Sequence, residues 1–375
     1  MNGTRGGVRH LYVHLPFCAH RCGYCDFVTL VGGDRELHAR YVDALLRELE
    51  LERGLLAQEL ETIFVGGGTP TFTSAEELTR LLAALPSTAE LTVEANPETV
   101  TPAVARLLSR NGVNRVSIGA QSFDIALLEV LERRARPDDV RRAFHHLRDA
   151  GLDNLSLDLL YGIPGQGPAQ LERDLEEALA LGPEHLSCYE LEAKPGTRFA
   201  HTHGDELVRQ SEEMEGYFER VVAALTGAGY RWYETANFCL RPELAGGRDL
   251  RARHNLGYWL GRDYLGLGIG AVSTVEGLRW RNRPKLGGYL GAAAAGERPP
   301  REVETLDEDV RRRERLLLGL RLDEPVPLSG IESALDAAAV VRLEELGLAE
   351  HVGAALALTE RGRFLGGAVT AELLA

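Results

Sequence analysis

Cysteine is scarce in this chain: the 375 residues contain 5, an odd count that suits a disulfide framework poorly. Long apolar runs are missing as well. No stretch approaches the ~18 uncharged apolar residues that mark a membrane-spanning helix, so no span is expected. The leading residues Met1-Asn2-Gly3-Thr4-Arg5 pass directly into a strand pattern, without an apolar signal region. Positive charge is in deficit, with 42 Lys and Arg against 56 Asp and Glu and a formal net charge of -14. That argues against nonspecific nucleic-acid binding, whose affinity comes from basic side chains neutralising phosphates, and no nucleic-acid partner is expected. These absences together point to a reducing cytosol. The remaining composition, 44% hydrophobic and 26% charged, is that of a soluble globular protein with a sizeable core. The length accommodates one large domain or roughly two to three ordinary ones.

Three of the five cysteines fall in one short stretch, Tyr12-Val13-His14-Leu15-Pro16-Phe17-Cys18-Ala19-His20-Arg21-Cys22-Gly23-Tyr24-Cys25-Asp26-Phe27. Cys18, Cys22 and Cys25, spaced Cys-x3-Cys-x2-Cys, can converge on one inorganic centre but leave a fourth position unfilled. Structural zinc normally takes four ligands, and no further Cys or His follows at finger-like spacing. An iron–sulfur cluster held by three cysteines would keep one iron open to another ligand. The bland alternative is three structural cysteines, or a redox pair with a spectator.

The first two-thirds of the chain alternates strand and helix. Strand-like runs cover 8–14, 62–65, 91–94, 116–120, 155–160 and 185–191. Helical patterns cover 37–53, 75–85, 102–110, 138–150 and 169–181, with Ser74 as an N-cap and Gly112 and Gly151 beyond C-termini. Such units predict a parallel sheet with helical crossovers. Six units are too few for a complete eightfold barrel, and pattern alone does not separate an open doubly wound sheet from a partial barrel.

Polar residues recur where these strands meet their loops. Gly66-Gly67-Gly68-Thr69-Pro70 would let a ligand approach the backbone and offer it N–H donors. It is neither a GxGxxG fingerprint nor a Walker A loop. Glu94, within Glu94-Ala95-Asn96-Pro97, is placed to accept from an amine or a ribose. Gln121 in Gly119-Ala120-Gln121-Ser122-Phe123 and Asp158 in Leu157-Asp158-Leu159-Leu160-Tyr161-Gly162 extend the series. Taken singly, each reads equally as a tight turn or an ordinary carboxylate. Four in sequence order, on the rim that carries the cysteines, form a constellation.

From about residue 205 the pattern changes. A long helix is expected over 208–226, followed by Tyr230-Arg231-Trp232-Tyr233-Glu234. An irregular stretch rich in Gly, Arg and aromatics then runs from Arg251 to Arg283, and all three tryptophans lie between 232 and 280. Aromatic and cationic residues together suit a flat, anionic, partly apolar ligand. Domain packing, with arginines serving surface carboxylates, is the competing explanation. His201-Thr202-His203 reads as a polar surface loop. Residues 292–300 read as a linker. Beyond it, a charged helix over 308–320, helices near 328–337 and 340–346, a short strand pair around 356–358 and a helix over 359–365 suggest a small winged-helix-like unit. It is structural or a partner surface rather than a DNA reader. The expected domains are 1–235, 236–300 and 301–375.

The cysteine loop, with Tyr24 inside it, resembles the signature of the radical S-adenosylmethionine (SAM) superfamily. The resemblance implies a 4Fe-4S cluster on Cys18, Cys22 and Cys25, its open iron chelated by the amino and carboxylate groups of SAM. It also implies an α/β fold class: a partial (β/α)6 barrel with chemistry at the C-terminal strand ends. A mixed α/β segment and a small, mainly helical, winged-helix-like C-terminal domain would follow. Further motifs occur in order over 12–164: Tyr-x-His-x-Pro-Phe-Cys, Gly-Gly-Gly-Thr-Pro, Glu-Ala-Asn-Pro, Gly-x-Gln-Ser-Phe and Asp-Leu-x-Tyr-Gly-x-Pro. They are similar to the family containing the oxygen-independent coproporphyrinogen III oxidases and related haem chaperones. Carried over by motif, Tyr12, Tyr24, Gly67, Gly68, Thr69, Glu94, Gln121, Arg133 and Asp158 are the implied SAM contacts.

Three features favour the chaperone branch. Asp26 and Phe27 follow Cys25 where the oxidases continue Cys-x-Cys, and only 17 residues precede Cys18 where the oxidases carry an extension. The segment His254-Asn255-Leu256-Gly257-Tyr258-Trp259 also matches the His-Asn-x-x-Tyr-Trp motif associated with haem binding in the chaperones. On that reading His254 offers an imidazole to haem iron, Asn255 completes the motif, Tyr258 and Trp259 pack on the macrocycle, and arginines meet propionates. Glu192 occupies the position of a second-SAM contact in the oxidases, which speaks against a second SAM. The resemblance thus implies a cytoplasmic haem chaperone, peripheral at the membrane when it delivers haem to acceptors such as respiratory cytochromes. It would use an electron donor for the cluster, and it leaves room for a homodimer. The alternative is an oxygen-independent coproporphyrinogen III oxidase making protoporphyrinogen IX by radical oxidative decarboxylation. Whether the chain turns over a substrate is left open by its residues.

Overall fold

The strand–helix alternation is present in the computed structural model, which describes residues 7–192 and 194–374; the lead-in at 1–5 lies outside the described residues. Six strands run parallel in chain order: β1 (His10–Leu15), β2 (Leu60–Gly67), β3 (Thr88–Ala95), β4 (Arg115–Gln121), β5 (Leu155–Tyr161) and β6 (His185–Glu190). The crossovers carry α1 (Arg35–Glu52), α2 (Ala75–Ala84), α3 (Pro102–Arg110), α4 (Ile125–Val130), α5 (Pro137–Asp149) and α6 (Pro168–Ala180). Local chemistry sets several ends. Asp34 accepts from Leu37 N at the start of α1, and Thr101 accepts from Val104 N at the start of α3. Gly112 and Gly151, at φ 79° and 86°, take the left-handed turn past α3 and α5. Ser74 holds the N-cap position of α2 without a side-chain cap bond; its backbone N–H donates to His38 Nδ1 at 3.1 Å.

Period-two alternation decides what the sheet can do. Leu11, Val13, Leu15, Ile63, Val65, Val93, Val116, Ile118, Leu155, Leu157 and Leu186 are buried in one continuous core beneath the helices. The residues between them face the inside of the curl and are mostly polar: His10, Tyr12 and His14 on β1, Glu90 and Glu94 on β3, Arg115 and Ser117 on β4, Asp158 on β5. A strand with two such faces carries an apolar support and a polar site in the same few residues.

Beyond β6 come α7 (Arg198–Gln210), α8 (Met214–Gly227), β7 (Tyr230–Glu234) and β8 (Asn237–Leu240). The single helix expected over 208–226 is therefore two, parted by a 3-10 turn at Ser211–Glu213. There the Ser211 hydroxyl donates back to the Val208 carbonyl at 2.8 Å, in competition with the helical ladder. His201 and His203 lie on α7 rather than in a loop, with the His203 ring 4.8 Å from Phe199.

The stretch expected to be irregular is regular. It forms α9 (Arg253–Trp259), β9 (Tyr264–Leu267), β10 (Val272–Val275), β11 (Leu278–Asn282), α10 (Leu286–Ala295) and β12 (Arg301–Thr305). Strand β9 adds to β1 in parallel, and antiparallel β10 to β12 extend that edge. Among the described residues the sheet has 12 strands, in the order β12-β11-β10-β9-β1-β2-β3-β4-β5-β6-β8-β7. It runs across the expected boundaries at 235 and 300, since β7 pairs with β8 and β11 with β12. The linker read over 292–300 begins inside α10. Its alanines are strong helix formers, and the buried Tyr289 anchors the helix against Tyr41 of α1, with ring centroids 5.4 Å apart.

The three tryptophans are each covered by an arginine from further along the chain, while Arg251, Arg262 and Arg279 pair with carboxylates. Arg363 lies 3.7 Å from the Trp232 ring centroid, Arg321 4.5 Å from Trp259 and Arg301 5.1 Å from Trp280. These pairs are packing, not an open platform for a ligand.

The C-terminal unit comprises α11 (Glu308–Gly319), β13 (Val326–Pro327), α12 (Ala337–Glu345), β14 (Ala349–Val352), β15 (Ala355–Leu358), α13 (Glu360–Phe364) and α14 (Gly366–Leu373). Its strands pair in the order β13-β15-β14 over a separate core that includes Leu316, Leu343, Leu356 and Leu373. The helix expected over 328–337 shrinks to a 3-10 turn at Glu332–Ala334. Gly330 turns the chain at φ 82°, and Asp336 caps α12 by accepting from Ala338 N and Ala339 N. The unit docks on the sheet through Arg321, 2.7 Å from the fully buried Glu234, and through Arg231 with Asp323. Among the described residues no helix is long and apolar enough to cross a membrane.

Candidate functional site

The polar strand ends meet the cysteine loop around a cavity of about 350 Å³. Its lining includes Cys18, Cys22 and Cys25, together with Tyr24, Gly67, Gly68, Thr69, Glu94, Gln121, Arg133 and Asp158. Eight of the nine residues expected to contact SAM thus stand with the three cysteines. Tyr12 is the exception. It projects from β1 inside the curl, where its hydroxyl sits 2.9 Å from His14 Nδ1 and its ring stacks 6.2 Å from Phe64, and it lines a neighbouring cavity.

A hydrogen-bonded chain ties the cysteine loop to three strand ends. The Thr69 hydroxyl donates to Cys18 Sγ at 3.5 Å and accepts from Asn96 Nδ2 at 3.0 Å. Arg133 donates to Asn96 Oδ1 at 3.0 Å, to the Gly119 carbonyl at 2.6 Å and to Cys22 Sγ at 3.6 Å. Two further bonds hold the loop in shape: Gly32 N to the Cys18 carbonyl at 2.8 Å and Arg21 Nη2 to the Cys25 carbonyl at 3.1 Å. Gln121 takes φ 68° at a register shift in β4, an unusual backbone for a non-glycine residue that re-aims its side chain to the cavity.

Electrostatics in the cavity are dominated by burial. It pushes the Cys18 thiol up to about 11, against the Thr69 hydrogen bond, and it raises Cys25 as well. The Glu94 carboxyl is lifted to about 7 by burial, opposed by the bond it accepts from Gly67 N at 2.9 Å. Asp158 is raised by burial and steadied by Ser187 and Ser117, the latter donating at 3.1 Å. Metal or cluster loading must therefore displace protons from buried thiols.

The residues present fit a multi-iron cluster better than a single ion. Among the described residues no three His, Cys, Asp or Glu side chains close tightly enough to hold one metal ion. The thiols instead line a cavity wall with room in front of them. Arg133 Nε is buried there without a partner, a donor left over for an anionic or sulfur-bearing group. The glycines make the backbone approachable. A Cβ on Gly68 would lie 2.6 Å from the Pro16 carbonyl carbon. Gly68→Ala should therefore lose about 1–3 kcal/mol in denaturant unfolding; an unchanged midpoint would show that the loop yields freely.

Of the residues expected to hold haem, His254 and Tyr258 meet, while Asn255 and Trp259 lie apart from them on the same helix. His254 is buried, 2% exposed, its Nδ1 2.7 Å from Thr62 Oγ1 and its Nε2 2.9 Å from the Tyr258 hydroxyl. Its ring stacks on Phe64 at 5.2 Å, its backbone N–H donates to Glu90 at 3.2 Å, and burial drives its pKa down to about 3. Both nitrogens have hydrogen-bond partners, and the ring is packed as a core group. Asn255 is half-buried on α9, Tyr258 faces the cavity that Tyr12 lines, and Trp259 packs under Arg321 at the C-terminal unit. Glu192 stands outside the cysteine cavity, ion-paired with Lys194.

Asn96, Ser117, Leu160 and Tyr189 also line the cysteine cavity and were not singled out from the sequence. Asn96 lies inside a motif already noted, and strand alternation places Ser117 beside Asp158. No comparable signal marks Tyr189.

The Radical SAM superfamily model matches residues 12–178, and the HemN C-terminal domain model matches 306–365. A protein of Mycobacterium tuberculosis described as heme chaperone HemW is 36% identical, over 97% of this chain and 94% of its own length. The Bacillus subtilis protein of that description is 34% identical over 98% and 99%, and the Escherichia coli one 37% over 71% and 70%. The fold is shared with coproporphyrinogen III oxidase (HemN) from Escherichia coli, at a TM-score of 0.82 and 24% identity, covering 98% of this chain and 90% of that one. Three cysteines at the C-terminal ends of a parallel sheet, and matches of this extent on either side of them, have one reading: the chain belongs to the radical SAM family of HemW heme chaperones.

Proposed function

We propose that this chain is a haem chaperone that binds a 4Fe-4S cluster and SAM and delivers haem to acceptor proteins such as respiratory cytochromes. The observation that carries the reading is the convergence of Cys18, Cys22 and Cys25 with eight polar or glycine positions on one cavity. The Mycobacterium tuberculosis and Bacillus subtilis HemW relatives, matched over nearly their whole length, support the cargo. Cys18, Cys22 and Cys25 hold the cluster, which when bound supplies an open iron for SAM and a one-electron couple fed by an electron donor. Gly67 and Gly68 allow close backbone approach, while Glu94 and Asp158 present acceptors to the polar groups of SAM. Thr69, Asn96 and Arg133 keep the cysteine loop in register with the strand ends and set a positive charge beside Cys22.

The test is an anaerobic incubation of cluster-reconstituted protein with SAM, a reductant and coproporphyrinogen III, run beside a haemin titration. Coproporphyrin recovered intact, with haemin bound and passed to an apo-cytochrome, is the expected result. Protoporphyrin formation, abolished by Cys22→Ala, would make the chain an oxidase. Absence of haemin binding would sink the chaperone reading.

A further inference from the structure

Helix α7 meets the cysteine loop at its first two residues and has little else to hold it. Of its 13 residues only Phe199 is buried, in a cluster with Leu127, Leu131 and Ile163. The Phe199 N–H donates to the Gly23 carbonyl at 3.2 Å, and Arg198 Nη2 donates to the Arg21 carbonyl at 3.1 Å. Cys22 is the residue between those two carbonyls, and its sulfur accepts from Arg133. Arg198 also pairs with Glu132, whose Oε2 stands 3.9 Å from His20 Nε2 of the same loop.

The turn that presents Glu132 and Arg133 is unusual. Past the end of α4 the Arg133 N–H donates to the Leu128 carbonyl at 2.8 Å, while Glu132 takes φ 55°, the left-handed position that glycine normally fills. A Cβ on Gly23 would stand 2.6 Å from Glu132 Oε1, so the loop is bare where the carboxylate passes it. One turn thus brings a cation to the sulfur of Cys22 and an anion to the loop beside Gly23.

We infer that the start of α7 is a latch on the cysteine loop, with Arg198 and Glu132 as its clasp, and that the latch sets how readily Cys22 is reached from solvent. Closed, it pins the backbone on both sides of Cys22; open, it releases both carbonyls. The inference rests on the cluster reading for its purpose, which is to admit iron and sulfide and then retain them. Both charged groups face solvent, 57% and 42% exposed, so the pair is weak alone and salt weakens it further. A clasp of that strength opens without unfolding the rest of the chain.

The experiment alkylates the full chain, free of iron, with iodoacetamide and follows Cys22 and the buried Cys239 separately by mass spectrometry. Charge alone would move the clasp variants in opposite directions. Losing the cation near Cys22 makes its thiolate scarcer, and losing the anion makes it more plentiful. Release of the latch speeds both. Arg198→Gln should modify Cys22 about fivefold faster than the parent and Glu132→Gln about threefold faster, with Arg198→Lys closer to the parent than to Arg198→Gln. Raising salt to about 1 M should bring the parent to the Glu132→Gln rate. Cluster-reconstituted proteins should lose iron to a chelator in the same order. Rates that move in opposite directions, or not at all, overturn the latch, as does iron loss that does not follow them. An equal acceleration at Cys239 would mean global unfolding and overturns it too. A parent that takes up no iron overturns the cluster reading, and the alkylation rates still decide the latch.

Discussion

A Cys22→Ala chain reconstituted anaerobically should retain less than about a tenth of the parent's iron, because one of the three thiolate ligands is lost. The three thiols on the cavity are the only cysteines there; Cys188 and Cys239 are buried on β6 and β8, outside its lining. Removing Cys22 leaves two thiolates for a centre that needs three, and strips Arg133 of its contact at 3.6 Å. Cys239→Ala is the matched control and should keep the full complement of iron. Measuring iron and labile sulfide per chain separates the cases. Equal retention in both variants would remove the cluster from this loop.

His254→Ala should cost about 3–5 kcal/mol of unfolding free energy near neutral pH, because it empties a buried aromatic site, strands the Tyr258 hydroxyl and leaves Thr62 with His10 alone. The pH dependence carries a definite sign. Burial holds the folded imidazole at a pKa of about 3, below its ordinary 6.5. Between those values the unfolded chain binds a proton that the folded chain does not, so this residue's contribution falls as pH drops through the window. The slope is at most about 1.4 kcal/mol per pH unit. The variant lacks that dependence, so the gap between parent and variant is widest above the upper pKa and narrows on acidification. Denaturant unfolding at several pH values reads it directly. A gap below about 1 kcal/mol near neutrality, or one that widens in acid, would mean the ring is not held between Thr62 and Tyr258.

How much was legible depended on how far apart the interacting residues lie. The core strands and their crossover helices were readable because hydrophobic period and capping are local: Asp34 and Thr101 act on backbone groups three residues away. The misreadings share one physical cause. The alanines at 292–295 read by composition as a linker, but Tyr289 beside them has a buried site against Tyr41, far away in sequence. The Gly- and Arg-rich stretch after 250 reads as irregular because its strands are only four or five residues long; pairing of β9 with β1, and of β10 and β11 in turn, holds them in the sheet.

The site divides along the same line. Cys18, Cys22 and Cys25 lie within eight residues, so a short loop suffices to bring them together. Likewise Gly67, Glu94 and Gln121 stand at or next to the C-terminal ends of successive parallel strands, with Asp158 inside the next one opposite Gly119, and parallel register aligns them without further information. The order of residues was enough for the cysteine loop, the polar rim and the family. It was not enough for His254, whose partner Thr62 is 192 residues away, nor for Trp259, covered by Arg321. Nor does spacing distinguish Arg281, left open on a cavity, from Arg279, spent on Glu314. Whether an imidazole or a guanidinium is a ligand or a packed group depends on desolvation and on partners brought by long-range contacts, and only the folded chain supplies both.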